Sequence, residues 1–154
     1  MKKLIYLLPL TLLVACGPSY VYDETQTPPA QGWSYTDSLR YTFNISDTAA
    51  VYTMHLDFEH GADYKFQNIY LNLDTYLPDG KKLHKLRSFE FFDSQGNPKG
   101  KADGDNFVAN TVLQEYAKFP QAGQYSLVIS QFTRTEQLPG VKAVSLRIGK
   151  VVRK

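Results

Sequence analysis

The three histidines, His55, His60 and His84, are the residues best suited to hold a metal ion or to move a proton near neutral pH. His55 and His60 lie five positions apart in a stretch where apolar and polar residues alternate. Five steps along an extended strand place two side chains on opposite faces. A metal pair needs two ligands on one face, so we predict solvated histidines and no metal or cofactor bound by them.

Acidic residues could support two further kinds of chemistry. Asp57 and Glu59 share a strand face, as paired carboxylates for glycoside hydrolysis could, although exposed polar positions of a strand give the same pattern. Asp93, Asp103 and Asp105 fall in a polar loop and are candidate calcium ligands, because calcium prefers about six to eight oxygen atoms. Their spacing does not match an EF-hand, and Asp-Gly pairs are typical of turns. We therefore predict turns here and no bound metal.

Catalytic motifs are missing from the sequence. It contains no Gly-x-Ser-x-Gly elbow, no phosphate-binding loop and no His-Glu-x-x-His. A cysteine nucleophile needs an adjacent base, and the single cysteine, Cys16, lies in a segment with another predicted use. We predict that the protein is not an enzyme.

Cys16 follows the pattern of an export signal. Lys2 and Lys3 precede an apolar run over residues 4–14, and Ala15 supplies a small residue before the cysteine. A run of about 10–14 residues is too short to cross a bilayer as a helix but fits a signal peptide. The sequence Leu13-Val14-Ala15-Cys16 resembles the lipobox of bacterial lipoproteins, in which the cysteine receives a diacylglycerol. We predict a membrane anchor through lipid on Cys16.

The predicted domain organisation follows from this signal. Residues 1–15 form a cleaved lipoprotein signal peptide, 16–34 a lipidated N-terminus and lead-in linker, and 35–154 a single domain. The 17 basic residues include both signal lysines, so the mature chain balances 15 acids with 15 bases. A neutral domain with interspersed charges argues against nucleic-acid binding.

Alternation of apolar and polar residues predicts strands over most of the chain. The stretches are 39–45, 51–59, 69–77, 83–92, 111–119, 124–132 and 143–151, and residues 19–23 could add a short edge strand. Asp79-Gly80 between two of them predicts a hairpin with a type I′ turn. The fold class is therefore all-β, a two-sheet antiparallel sandwich of jelly-roll or immunoglobulin-like kind with about eight strands.

Three aromatic residues stand out as candidate docking residues. Trp33 follows a stiff loop that contains Pro28 and Pro29, and Tyr70 and Tyr76 fall on the polar side of their strand. Exposed aromatics could form the centre of a protein interface or stack on sugar rings. Two alternatives remain open: cross-strand packing within the sheet, and closure of one end of the core by Trp33.

Several motifs resemble the gliding motility lipoprotein GldH family of the Bacteroidetes. Besides the lipobox cysteine and the proline loop ending at Trp33, they are Val21-Tyr22-Asp23-Glu24, Tyr64-x-Phe66-x-Asn68-Ile69-Tyr70-Leu71, Leu77-Pro78-Asp79-Gly80-Lys81-Lys82 and Phe119-Pro120-x-x-Gly123-x-Tyr125. The resemblance spans nearly the whole mature chain. It implies a membrane-anchored envelope protein of the gliding machinery and brings no catalytic residues.

Two functions follow as expectations. The first is a non-enzymatic component of the gliding machinery that docks onto other envelope proteins. The alternative is a lipid-anchored module that binds a carbohydrate or another ligand. The residues after Cys16 carry no acid before Asp23, whereas surface lipoproteins of this group often have an early acidic run. We therefore expect an anchor that faces the periplasm.

Overall fold

Residues 20–151 are described by the computed structural model, and they form β-strands and connecting loops without a helix. The predicted signal peptide over 1–15 and the lipidation site Cys16 lie outside the described residues. The strands are β1 (Tyr20–Gln26), β2 (Trp33–Ser34), β3 (Ser38–Ile45), β4 (Tyr52–Gly61), β5 (Asn68–Tyr76), β6 (Lys82–Glu90), β7 (Lys101–Asp103), β8 (Asn106–Ala117), β9 (Gly123–Gln131), β10 (Gln137–Leu138) and β11 (Val141–Lys150). No helix in this part of the chain could span a membrane.

The strands form two main sheets and one short ribbon, and every pair is antiparallel. The five-stranded sheet has the order β1-β11-β4-β8-β7, the four-stranded sheet β3-β9-β5-β6, and β10 pairs with β2. Inward-facing residues of both sheets make one core, to which β3, β4, β5, β9 and β11 contribute most. The predicted all-β antiparallel sandwich is confirmed.

Strand periodicity explains which residues enter the core. In β3 every second residue is buried, beginning with Leu39, and the residues between are exposed. In β11 the predicted inward residues Val144, Leu146 and Ile148 are all fully buried. Burying a large aliphatic side chain is worth about 1.5–3 kcal/mol, so this alternation fixes which face of each strand packs inward.

The lead-in contributes more to the fold than we expected. Residues 20–26 form β1, which pairs with β11 along the edge of the larger sheet, so the short edge strand is present and longer than predicted. Trp33 and Ser34 form β2. The β11 edge is therefore covered by a strand from the segment 16–34, which we predicted to be a lead-in linker.

The hairpin between β5 and β6 is present with a different turn. Tyr76 pairs with Lys82, as the sequence predicted. Gly80 has a positive φ of 84° whereas Asp79 does not, and the Gly80 amide donates to the Leu77 carbonyl at 2.9 Å. This is a type I turn closed by a glycine bulge, and not the predicted type I′ turn, which needs positive φ at both central residues.

One side of the sandwich is tied by hydrogen bonds. The Gln26 side chain on β1 donates to the Arg40 carbonyl at 2.5 Å and accepts from the Arg40 amide at 3.1 Å. Deeper in the core, the Tyr41 hydroxyl on β3 donates to the Val144 carbonyl on β11 at 2.7 Å. We call the β1–β3 side the closed side.

The opposite side lies between β6 and β8. Within the described residues, the hydrogen bond that joins these strands is a long one, in which Arg87 Nη1 donates to the Leu113 carbonyl at 3.5 Å. All but one residue of β6 is exposed, and Leu83 keeps 53% of its surface accessible. We call this the open side.

Candidate functional site

An exposed aromatic patch is formed by Tyr35, Tyr70 and Phe132. The register of β5 and β9 pairs Leu71 with Gln131, which places Tyr70 opposite Phe132. The Phe132 amide donates to the Tyr70 carbonyl at 2.8 Å, and the Tyr35 hydroxyl donates to the Thr133 carbonyl at 2.8 Å. Their exposed fractions are 45%, 45% and 56%. Three large rings in water at one place mark a candidate contact surface.

Tyr70 was predicted from the sequence, and its two neighbours were missed. Tyr125, Leu127 and Ile129 point inward, so parity already sends Phe132 to the outer face. An outward phenylalanine at a strand end was therefore a usable signal. Tyr35 gave no comparable signal, because its position depends on how the loop after β2 folds back to Thr133.

Trp33 does not belong to this patch. Its side chain is fully buried in the core, and its indole Nε1 donates to the Asp37 carbonyl at 3.1 Å. The prediction of an exposed docking residue is wrong for Trp33, and the alternative of core closure describes it. The physical reason is the β2–β10 pairing, in which Trp33 lies opposite the equally buried Leu138.

A buried glutamine holds this ribbon in place. Gln131 is 2% exposed, and its Nε2 donates to the carbonyls of Trp33, Thr135 and Glu136 at 3.2, 2.9 and 3.2 Å. Its Oε1 accepts from the Thr133 amide at 2.9 Å. A buried amide with its groups satisfied fixes one loop conformation, and that loop carries Phe132.

Tyr76 lies on the same outer face of β5 as Tyr70, six residues further along. The Arg40 guanidinium and the Lys82 ammonium lie 5.6 and 5.7 Å from its ring centre. Cations at this distance are attracted to an aromatic ring, so part of the Tyr76 ring is covered within its own sheet. About 20 Å of strand separates it from Tyr70, and the two do not form one patch.

β1 shows where the N-terminal segment meets the sandwich. Tyr20 pairs with Gly149 near the end of β11, while Gln26, at the other end of β1, contacts Arg40. This strand spans about 20 Å. The four steps along the chain from Cys16 to Tyr20 span at most about 14 Å. We call the end with Tyr20 the anchor end and the opposite end the far end.

The aromatic patch lies at the far end. Ser130, two residues before Phe132, pairs with Ser38 in β3 and with Asn72 in β5. Ser38 precedes Arg40, which contacts the far end of β1. The patch and Tyr20 therefore lie at opposite ends of the sandwich.

His60 contradicts the prediction of solvated histidines. It is fully buried, and its ring stacks on Phe91 at 4.8 Å with 0° between the planes. Tyr64, Phe92 and Phe107 surround the same ring. Neither ring nitrogen has a hydrogen-bond partner among the described residues. Burial lowers the pKa of His60, because the charged form loses its hydration.

His55 and His60 point to opposite faces, as predicted, and they do not form a metal pair. His60 enters the core because β4 continues its alternation through Phe58 to the end of the strand. His84 is exposed and lies 2.7 Å from Asp74. In the part of the chain that the structure describes, no three His, Cys, Asp or Glu side chains gather as a metal site.

The two carboxylates of β4 are engaged with neighbours. Asp57 was expected to be exposed, but it is 5% exposed and forms an ion pair with Arg147 on β11. Arg147 also donates to the Tyr20 hydroxyl at 3.0 Å. Glu59 accepts from Asn106 Nδ2 at 2.7 Å. Asp57 and Glu59 are thus each bound to a neighbouring strand, and their arrangement does not resemble a pair of free carboxylates in an active site.

The candidate calcium ligands serve turns. Asp93 accepts from the amides of Gln95 and Asn97, both at 2.9 Å, and the hydrogen bond from the Asn97 side chain, followed by these amide bonds, lowers its pKa. Asp103 ends β7, and Asp105 lies with Gly104 in the two-residue loop between β7 and β8, where Gly104 has a φ of 57°. The polar loop predicted around these aspartates is thus shortened by β7, since Gly104 permits a tight turn.

The comparisons with known proteins identify relatives of the chain. The family described as GldH lipoprotein matches residues 20–148. A protein of Christiangramia forsetii named gliding motility lipoprotein GldH homolog is 24% identical over 153 residues, covering 95% of this chain and 93% of the relative.

Solved structures resemble the fold only distantly. A 4-O-methyl-alpha-glucuronidase with specificity for decorated arabinogalactans gives a TM-score of 0.44 at 11% identity, over 92% of this chain and 19% of that one. The infectious bursal disease virus VP2 subviral particle gives 0.36 at 14% identity, over 85% of this chain and 30% of that one. The chain thus spans less than a third of the length of either protein.

Proposed function

This chain belongs to the GldH lipoprotein family, and we propose that it is a non-enzymatic component of the gliding motility machinery that docks onto other envelope proteins. The name of its Christiangramia forsetii relative supports the process. The observation that supports docking is the exposed patch of Tyr35, Tyr70 and Phe132 at the far end. Tyrosine is enriched at the energetic centres of protein interfaces.

Attachment to the membrane is the first part of the proposal. Two or three acyl chains on Cys16 would hold the domain at the bilayer, since each buried methylene contributes about 0.8 kcal/mol. Cys16→Ala should abolish incorporation of labelled palmitate and leave an uncleaved precursor. Normal processing and membrane retention of that variant would contradict the lipid anchor.

The orientation is the second part. The sequence after Cys16 supports an anchor facing the periplasm, because Asp23 is the first acid to follow it. Protease added to intact cells should then leave the domain uncut, and the same protease should degrade it after the outer membrane is opened. Cleavage in intact cells would place the domain on the surface instead.

Docking through the patch is the third part. A lipid tether confines the domain to a thin layer and raises its effective concentration toward neighbours, so a small interface can be well occupied. The Gln131 hydrogen bonds fix the loop that carries Phe132, which reduces the entropy lost on binding. The patch is at the far end, away from Tyr20, where a partner could reach it without meeting the bilayer.

The test is a double variant, Tyr70→Ser with Phe132→Ser, in the native lipoprotein. Capture of its membrane partners, after crosslinking in cells, should fall roughly tenfold or more, and cell spreading should be lost. The matched control is Tyr116→Ser, because Tyr116 is 71% exposed and sits near Ala117 at the anchor end. Equal capture and spreading by both variants would refute docking through this patch.

The carbohydrate-binding alternative predicts a different result for the same variants. The Tyr70 and Phe132 double variant would lose retention on envelope polysaccharide and keep its protein partners. Capture of protein partners and retention on polysaccharide therefore distinguish protein docking from carbohydrate binding.

A further inference from the structure

A cavity of about 220 Å³ lies between the two sheets on the open side. Its apolar lining comes from both sheets and from the loop after β8, and includes Met54, Leu73, Leu77, Leu113, Phe119 and Leu127. An engineered apolar cavity of about 150 Å³ stays free of water and binds benzene. A cavity of this size and lining is therefore suited to an apolar group.

The rim of the cavity is positively charged. Lys85 and Arg87 on β6 and Lys118 after β8 line it, and its lining within residues 20–151 includes no acid. None of the three forms an ion pair with the residues that the structure describes. Inward-pointing charges on an edge strand can also serve to prevent sheet-to-sheet association. That role does not account for Lys118, which lies in the loop that follows β8 of the other sheet.

The cavity lies at the anchor end. Ala117, in its lining, pairs with Tyr52, and Tyr52 pairs with Lys150. Lys150 follows Gly149, the partner of Tyr20. The cavity is therefore on the part of the domain that a lipid on Cys16 would keep near the bilayer. This placement rests on the proposed anchor, whereas the chemistry of the cavity does not.

We propose that the open-side cavity binds a single acyl chain with an anionic headgroup, supplied by the membrane as a fatty acid. The apolar lining holds the chain, and Lys85, Arg87 and Lys118 contact the carboxylate. The volume fits one chain better than a whole ligand of drug size, for which pockets are about 300–1,000 Å³. The apolar lining and the positively charged rim of the cavity thus both favour a fatty acid.

The test uses the full lipoprotein in phosphatidylcholine vesicles and a dodecanoic acid that carries a photoreactive diazirine. After illumination, mass spectrometry should find the label on peptides around Leu77, Leu113 and Phe119. Unlabelled carboxylic acids compete at equal free concentration in the aqueous phase, so that each methylene is compared with its hydrated state. Each added methylene should improve competition about fourfold, until the chain exceeds the cavity and the effect levels off.

Two variants with matched controls test the lining and the rim. Thr75→Phe fills the cavity and should cut labelling about tenfold, whereas Thr42→Phe, on the outer face of β3, should not. Lys85→Glu with Lys118→Glu should also cut labelling roughly tenfold. The charge-matched control is Lys65→Glu with Lys101→Glu, two exposed lysines outside the cavity.

Two kinds of result would contradict fatty-acid binding in the cavity. Labelling spread evenly over the surface, or unchanged in both variant sets, would overturn it. Competition by dodecylamine as strong as by dodecanoate would overturn the assignment of an anionic head. Melting curves check that Thr75→Phe folds, and if it does not, the two lysine pairs alone decide the result.

Discussion

The closed and open sides of the sandwich differ in how the two sheets meet. On the closed side, Gln26 joins β1 to β3 through both polar groups of its amide, and Tyr41 reaches β11 from within the core. On the open side, Arg87 makes one long contact, and Leu83 remains more than half exposed. The same pair of sheets is thus sealed along one side and accessible along the other.

This difference separates the residues that stabilise the fold from those free to bind. Bonds between strands distant in sequence seal the closed side, and removing them should cost stability. Residues along the open side make few such bonds, so they can change with little effect on folding.

Trp33 and Tyr70 are both large aromatic residues, but Trp33 is buried and Tyr70 is exposed, so they test how much burial contributes to the free energy of unfolding. Trp33→Ala should lower the free energy of unfolding by about 3–5 kcal/mol, because it empties a fully buried site. Denaturant unfolding of the membrane-extracted protein measures the change. Tyr70→Ala is the control and should cost much less; a Trp33→Ala variant of wild-type stability would show that the end of the core is not closed by this ring.

His60 tests the aromatic cluster at the end of β4, where aromatic rings pack around a buried imidazole. Its pKa is lowered in the folded state by burial, so below the ordinary pKa of about 6.5 the unfolded chain binds the proton more readily. Stability should be full above that pH and fall as the pH drops, by up to about 1.4 kcal/mol per pH unit. Unfolding free energies measured between neutral and mildly acidic pH test this.

A matched pair of variants tests whether His60 causes this dependence of the unfolding free energy on pH. His60→Phe keeps a ring among the aromatic neighbours and removes the titration, so the slope should become shallower. His55→Gln, on the opposite face of β4, should leave it unchanged. A slope that persists in His60→Phe would mean that other groups carry the acid sensitivity.

Tyr41→Phe sharpens the account of the closed side. It removes only the hydroxyl that donates to the Val144 carbonyl, and a buried hydrogen bond contributes about 1 kcal/mol. We expect that loss in thermal or denaturant unfolding, with the packing of the ring preserved. No loss would indicate that ring packing alone joins the sheets at this point.

Leu83→Ser should have the smallest effect. A largely exposed position away from buried contacts usually changes stability by no more than about 0.5 kcal/mol, even for a leucine in a strand. A loss comparable to that of Trp33→Ala would show that the open side is packed in solution, and the division between the two sides would then fail.

Particular residues show how far the sequence could be interpreted. Alternation correctly placed Tyr125, Leu127 and Ile129 in the core and set His55 and His60 on opposite faces. Asp79-Gly80 correctly marked a hairpin, but the turn type was wrong because it depends on φ at both positions. Local patterns indicate where a strand or a turn lies. The φ and ψ angles of a turn, however, depend on how the two strands that it joins pair with each other.

The candidate sites depend more on distant contacts. Tyr70 was predicted from its parity, but the patch also needs Tyr35, which a bond to the Thr133 carbonyl holds at the far end. The cavity rim combines Lys85 of β6 with Lys118 of the loop after β8. No spacing in the sequence relates such residues, because their proximity results from the order in which the strands pair.

Local alternation is sufficient to predict the all-β class, the positions of the long strands and the inward or outward direction of most of their side chains, because an extended chain alternates its side chains at every step. How deeply each position is buried depends on contacts between strands that are distant in the sequence. Trp33 and Asp57 are buried by partners more than 80 residues away in the chain, Leu138 and Arg147. Inward-facing Lys85 remains exposed because β6 is an edge strand without a neighbour on its outer side.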